Sequence, residues 1–306
     1  METKQHYERE PNNVEKAVEN GWSFLEAENQ HGFFPSYISG GRDSAGTQQA
    51  PREVFSSIVI ADTLPKQTPH EELRRAALQY IETQVQQGQL SFFEDRSLIT
   101  PDTDTNSLGY SVLLENQRIS PEAAHRVLDT ILTHRADDGR VQVWLSHERT
   151  NHLDHVVAAN AVYFARLLGR ETEMKPTEDW LIQTLDSGEY QDGSRYYHSP
   201  DSFLYYLGRL AKFPELQEKI TAKLGHHVQQ RIGKTEYPLD LAMRTALADS
   251  LGLYSDAEKQ KLLSVQEQGG SWPADALYRE GKKPKFYGNK TVPTAFSIRA
   301  LDAAGF

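Results

Sequence analysis

Pro101-Asp102-Thr103-Asp104-Thr105-Asn106-Ser107 sets two carboxylates, a pair of threonine hydroxyls and an amide at the mouth of a helix. Leu108, Tyr110, Val112, Leu113 and Leu114 continue as an apolar pattern, so a buried helix begins where the acids sit. Capping such a helix uses one acid, with Asp102 or Thr103 as N-cap and Asp104 in the first turn. The free N–H groups of that turn stabilise a carboxylate, whereas burial favours its protonated form. A group under both influences holds a proton at neutral pH and still donates it readily. Two readings fit the run: ordinary helix capping, and a positioned proton donor whose oxygens are oriented by Asn106 and Ser107.

Outward from this run, helical periodicity predicts twelve helices over 13–28, 52–64, 70–87, 105–116, 121–134, 152–168, 177–185, 201–212, 216–233, 239–251, 255–268 and 294–304. Ser120 before Pro121, Thr68-Pro69 before Glu71 and Glu72, and Ser255-Asp256-Ala257-Glu258 are start signals. No βαβ alternation is present, which argues against a parallel sheet. Turns in which glycine is followed by aromatics recur at Gly32, Gly88, Gly139, Gly193, Gly233 and Gly270, each between two helical patterns. Such self-similarity marks a repeat of one supersecondary unit. Six helical hairpins predict an all-α fold, a single (α/α)6 toroid over residues 1–306 with inner helices around a cavity. The competing arrangement is an irregular helical bundle whose turns share these residues.

The chain has 306 residues, a formal net charge of −10 and no cysteine. That is ample for a large core, and it excludes disulfides and thiolate metal sites. The acidic balance argues against nucleic acid as a partner. The N-terminal residues are polar, and no stretch approaches the roughly 20 apolar residues of a membrane span. A cytoplasmic location is therefore expected. The basic run Gly281-Lys282-Lys283-Pro284-Lys285 reads as solvated surface, or as a peripheral contact with an acidic membrane.

The turns carry Phe34, Tyr37, Phe92, Phe93, Trp144, Tyr196, Tyr197, Trp272 and Tyr287 toward one end of the toroid, with Tyr205 on the next helix. Ring faces stabilise cations without offering a base that quenches them. Structural packing is the competing role for each ring. Asn160, among Val156, Val157, Ala159, Ala161 and Val162, is a buried amide that needs partners, and Asp104 is one candidate. His152 and His155 flank Asp154 without a clear third ligand, so Asp154 reads as a charge at a helix N-terminus and no metal site is expected. Walker, dinucleotide and nucleophile-elbow motifs are missing.

Asp102-Thr103-Asp104-Thr105-Asn106 resembles the Asp-x-Asp-Asp-Thr motif of the class II terpene cyclase family, with Thr105 in place of the third acid. Gln266-Glu267-Gln268-Gly269-Gly270-Ser271-Trp272 resembles the end of that family's Gln-Trp repeat. Phe286-Tyr287-Gly288, Thr294-Ala295-Phe296 and Ala300-Leu301 look like its closing helix. Length points to the single-domain cyclases of bacterial meroterpenoid pathways. The resemblance implies that Asp104 protonates an alkene of a linear isoprenoid or prenylated aromatic, with Asp102, Thr105, Asn106 and Asn160 supporting it. It implies no required cofactor, Mg²⁺ entering only with a diphosphate-bearing substrate. Protein prenyltransferases share the toroid but use cysteine in their zinc site. The alternatives are a toroidal carbohydrate-active enzyme with a second acid at Asp154 or Asp201, and a non-catalytic isoprenoid-binding toroid.

Overall fold

A computed structural model describes residues 13–43, 46–66 and 68–302. Among them are twelve α-helices: α1 (Asn13–Glu28), α2 (Phe55–Thr63), α3 (Glu71–Thr83), α4 (Thr103–Glu115), α5 (Pro121–Thr133), α6 (His155–Leu167), α7 (Lys175–Ser187), α8 (Pro200–Gly208), α9 (Pro214–Arg231), α10 (Pro238–Ser250), α11 (Asp256–Ser264) and α12 (Thr291–Leu301). The even-numbered helices pack in sequence, α2 on α4, α4 on α6, and so on until α12 closes on α2. The odd-numbered helices lie outside this ring. The inner helices are buried on nearly every face, while α3 and α5 bury only a stripe. This division is what an (α/α)6 toroid demands: the inner helix meets neighbours all round, the outer helix meets water.

Each of the six turn glycines joins an outer helix to the next inner one, and each has positive φ. At Gly32 a Cβ would lie 2.1 Å from the Ala76 carbonyl oxygen, and at Gly193 it would lie 2.4 Å from that of His198. No L-side chain fits either close approach, and at all six turns the positive φ favours glycine. Because every such turn feeds an inner helix, the aromatics after it collect where the inner helices begin.

The sequence reading missed one feature, a four-stranded antiparallel sheet of order β2-β1-β4-β3. Its strands are β1 (Tyr37–Ser39), β2 (Gln48–Gln49), β3 (Asp275–Arg279) and β4 (Phe286–Asn289). Strands of two to five residues carry too little alternation to be read. Phe286-Tyr287-Gly288, expected in a closing helix, is the β4 strand, and α12 begins after it at Thr291. The stretch expected as a helix over 255–268 ends at Ser264, where Gln266 instead donates to the carbonyls of Ala17 and Gly270 and ties α11 to α1. The predicted end of the last helix, 304, lies outside the described residues.

Candidate active site

Asp102 is the N-cap of α4 in extended conformation. Its Oδ1 accepts from Thr105 N at 2.7 Å and its Oδ2 from Thr105 Oγ1 at 2.8 Å. Thr105 therefore spends its hydroxyl on the cap. The preceding chain pairs with the strand-like segment before α6, through Thr103 N to Val143 O at 2.7 Å and Leu145 N to Pro101 O at 3.0 Å. Asn106, fully buried, accepts from Leu90 N at 2.9 Å and donates to the carbonyls of Leu90 and Asp102. It holds the chain before α4 in place rather than touching Asp104.

Asp104 in the first turn is left to face inward. Its Oδ1 accepts from Asn160 Nδ2 of α6 at 2.8 Å, and its Oδ2 accepts a short hydrogen bond from the Tyr197 hydroxyl. Burial pushes its pKa up to about 7, helped by the nearby charge of Asp102, while the bonds from Tyr197 and Asn160 pull the other way. Burial also raises Asp102 to about 6, against the bonds from Thr105. Asp104 thus sits between holding and releasing its proton near neutrality.

In front of Asp104 opens a cavity of about 230 Å³. Asp102, Asp104 and Thr105 form its acidic wall, and Phe92, Phe93, Trp144, Tyr196, Tyr197 and Tyr287 line it with Phe55 and Tyr278. Phe92 meets Phe93 edge-on at 4.8 Å and Tyr278 at 5.0 Å, while Tyr278 and Tyr287 stack at 5.4 Å. The sheet supplies Tyr278 and Tyr287, which the missed strands explain. Phe34, Tyr37, Tyr205 and Trp272 do not line this cavity. Phe34 and Trp272 are core residues, the indole N–H of the latter donating to Leu262 O at 2.8 Å. Tyr37 lies in β1, and Tyr205 packs edge-on against Phe296 at 5.1 Å. Asn160 and Asn106 stand behind the acidic wall.

The sequence reading passed over Arg149, Arg195 and Arg279, and these line the cavity together with His152, weighed there as a metal ligand, and Lys283, read there as solvated surface or a membrane contact. Arg149 lies over the Trp144 ring at 3.8 Å, and Arg279 donates to the carbonyls of Ser194 and Arg195. Among the described residues no carboxylate pairs with any of these three arginines, whereas Lys283 and Lys285 both bind Glu280. Burial holds His152 below its usual pKa, and the charges of Arg195 and Arg149 add to this. The basic run is thus the loop of the β3–β4 hairpin, with Gly281 and Lys283 at the cavity.

The two carboxylates considered as a second acid are both engaged. Asp154 caps α6, accepting from Val156 N, Val157 N and Tyr196 N. Asp201 pairs with Arg231 and Arg244 at 2.7 and 2.8 Å. Among the described residues no group of three or more metal-binding side chains is arranged around one point. No helix there is long and apolar enough to cross a membrane.

Residues 18–166 match the family model for the C-terminal domain of astC-like sesquiterpene cyclases. Drimenol cyclase drtB of Aspergillus calidoustus is 29% identical over 219 residues, 69% of this chain. The chain spans 40% of that relative's length. The type II terpene cyclase MstE from Scytonema superposes with a TM-score of 0.72 at 14% identity, covering 95% of this chain and 98% of its own. Variants of MstE have been seen with geranylgeranyl dihydroxybenzoate as substrate and with merosterolic acid A as product. A protein from Actinoplanes gives a TM-score of 0.70 at 16% identity, covering 95% of this chain and 99% of its own. The toroid is the fold of the type II terpene cyclases.

Proposed function

We propose that this chain, a homologue of the terpene cyclases, is a protonation-initiated cyclase in which Asp104 donates a proton to an alkene of a linear isoprenoid. The observation that carries this reading is a buried carboxyl with a pKa near 7, oriented by two donors, at the end of an aromatic cavity. Proton transfer leaves a tertiary carbocation on the chain, and Asn160 and Tyr197 stabilise the carboxylate left behind. The next alkene attacks the cation and closes a ring, and loss of a proton from a carbon beside the final cation ends the cascade with the substrate's mass unchanged. Phe92, Phe93, Trp144, Tyr278 and Tyr287 present ring faces to the migrating charge and offer no base to end it early. Enclosure holds the chain in a reactive fold and keeps water from the cation.

At about 230 Å³ the cavity is smaller than the roughly 300–1,000 Å³ of common ligand pockets, and this favours a short prenyl chain. Arg149, Arg195 and Arg279, lacking carboxylate partners among the described residues, favour an anionic head group such as a diphosphate or an aryl carboxylate. Mg²⁺ would accompany a diphosphate and is not needed for protonation itself. A carbohydrate-cleaving mechanism needs a second free carboxylate across the cavity, and Asp154 and Asp201 are engaged elsewhere.

The test is incubation with farnesyl diphosphate and with prenylated hydroxybenzoates, followed by mass spectrometry. A cyclic product retaining the substrate's carbon skeleton mass is expected from the native chain and none from Asp104→Asn. Equal turnover by that variant would end the assignment.

A further inference from the structure

Behind Asp104 a polar column runs down the toroid axis. Asn160 Nδ2 donates to Asp104, and Asn160 Oδ1 accepts from Arg209 Nη1 at 3.4 Å. Arg209 Nη2 donates to Asp62 Oδ1 at 2.7 Å. Arg209 belongs to the short 3-10 turn over 209–212 that follows α8, and Asp62 to the last turn of α2. Both side chains are 7% exposed. The guanidinium also lies 4.3 Å from the Tyr163 ring centre, which holds its plane. Beyond this pair lies a second basin of about 860 Å³, at the end of the toroid where the inner helices terminate.

A guanidinium only donates hydrogen bonds, while an amide donates from one side and accepts on the other. Whichever edge of Asn160 meets Arg209 must therefore be its carbonyl, and the edge toward Asp104 must be its NH2. We infer that Arg209, held by Asp62, is a positioning residue that locks the Asn160 amide with its NH2 toward Asp104. Without the lock, the amide can turn and offer its carbonyl to the protonated acid. That orientation stabilises the neutral carboxyl and makes it a poorer donor. The locked one stabilises the carboxylate formed on proton transfer. The other groups facing Asp104 are Asp102 from α4, Asp154 at the start of α6, Tyr197 before α8, and Tyr206 on α8. None of them constrains the amide. The inference rests on Asp104 as the donor, but its central measurement needs no substrate.

The experiment is carboxyl ¹³C NMR titration of Asp104 in aspartate-labelled protein, the signal being assigned by its loss in Asp104→Asn. Arg209→Met with Asp62→Leu removes both charges together, so no buried acid is left unpaired. The Asp104 midpoint should then rise by about one pH unit, a tenfold change in ionisation. In an Asn160→Leu background the same pair of substitutions should move it by less than about a third of that. An equal rise in both backgrounds, or none in either, would overturn the inference. Arg209→Gln is the milder second variant, expected to shift the midpoint the same way by a smaller amount, and it decides the matter should the double variant fail to fold. Failure of the native chain to cyclise any prenyl substrate would count against the proposed function, and the titration would still decide the role of Arg209.

Discussion

Asp104 is exposed to opposed influences, and the balance between them decides its chemistry. Burial and the neighbouring Asp102 favour the proton, while Tyr197 and Asn160 favour its release. Only the protonated acid can start a cyclisation, so kcat/KM is expected to be level below about pH 7 and to fall tenfold per unit above it. A profile flat to pH 9 would contradict this. The same group links stability to pH. Its folded pKa lies above the unfolded value of about 3.9, so its contribution is fully present below that value and is lost as pH rises through about 7. Asparagine does not titrate. The melting temperature of Asp104→Asn minus that of the native chain should therefore increase between about pH 4 and 7 by at least roughly 3 °C, then level off. Scanning calorimetry across that range checks it. From sequence, Asp104 was legible because two acids in one helix turn exceed what capping needs. Tyr197 as its partner was not, since 93 residues separate them and only the closed ring brings them together. Thr105, expected to support Asp104, instead makes two bonds to Asp102, which its place in the motif did not reveal.

At the scale of elements, α4 owes its placement to what precedes it. Asn106 satisfies both backbone groups of Leu90, and residues 101–103 pair with the chain before α6. Asn106→Ala leaves the buried N–H and C=O of Leu90 without partners, at a cost of about 1–3 kcal/mol each. Urea denaturation should register a loss of roughly 2–5 kcal/mol, and a variant as stable as the native chain would show that the clamp does nothing. The helices were readable because outer ones such as α3 and α5 show an apolar stripe, and inner ones such as α6 are apolar along most of their length. Boundaries slipped where capping overrode periodicity. The helix expected from 152 begins at His155, because Asp154 takes extended backbone angles and caps it. The strands escaped notice for their brevity, and with them the origin of Tyr278 and the true place of the Lys282-Lys283 loop.

The whole molecule carries a formal net charge of −10, yet the cavity lining gathers three arginines that pair with no carboxylate among the described residues. Under the proposed function, such a contrast would steer an anionic head group to the mouth while the apolar chain enters the aromatic interior. Arg149→Gln with Arg195→Gln should raise the Kd for a prenyl diphosphate by about a hundredfold or more, each charge-assisted hydrogen bond contributing roughly 1.5–3 kcal/mol. Added salt should weaken native binding more than that of the variant. Isothermal titration calorimetry separates this from an uncharged head group, whose binding would ignore both changes. The six glycine turns made the toroid legible, since each takes positive φ between an outer and an inner helix. The sheet that covers part of the cavity end, and the arginines around it, come from segments far apart in sequence and carried no common pattern. The most direct test of the central claim is cyclisation of a linear prenyl substrate in D₂O, with the product examined by NMR and mass spectrometry. Protonation by Asp104 predicts a ring product carrying one solvent deuterium on the carbon of the alkene first attacked. A cyclic product without deuterium, or the same labelled product from Asp104→Asn, would contradict it.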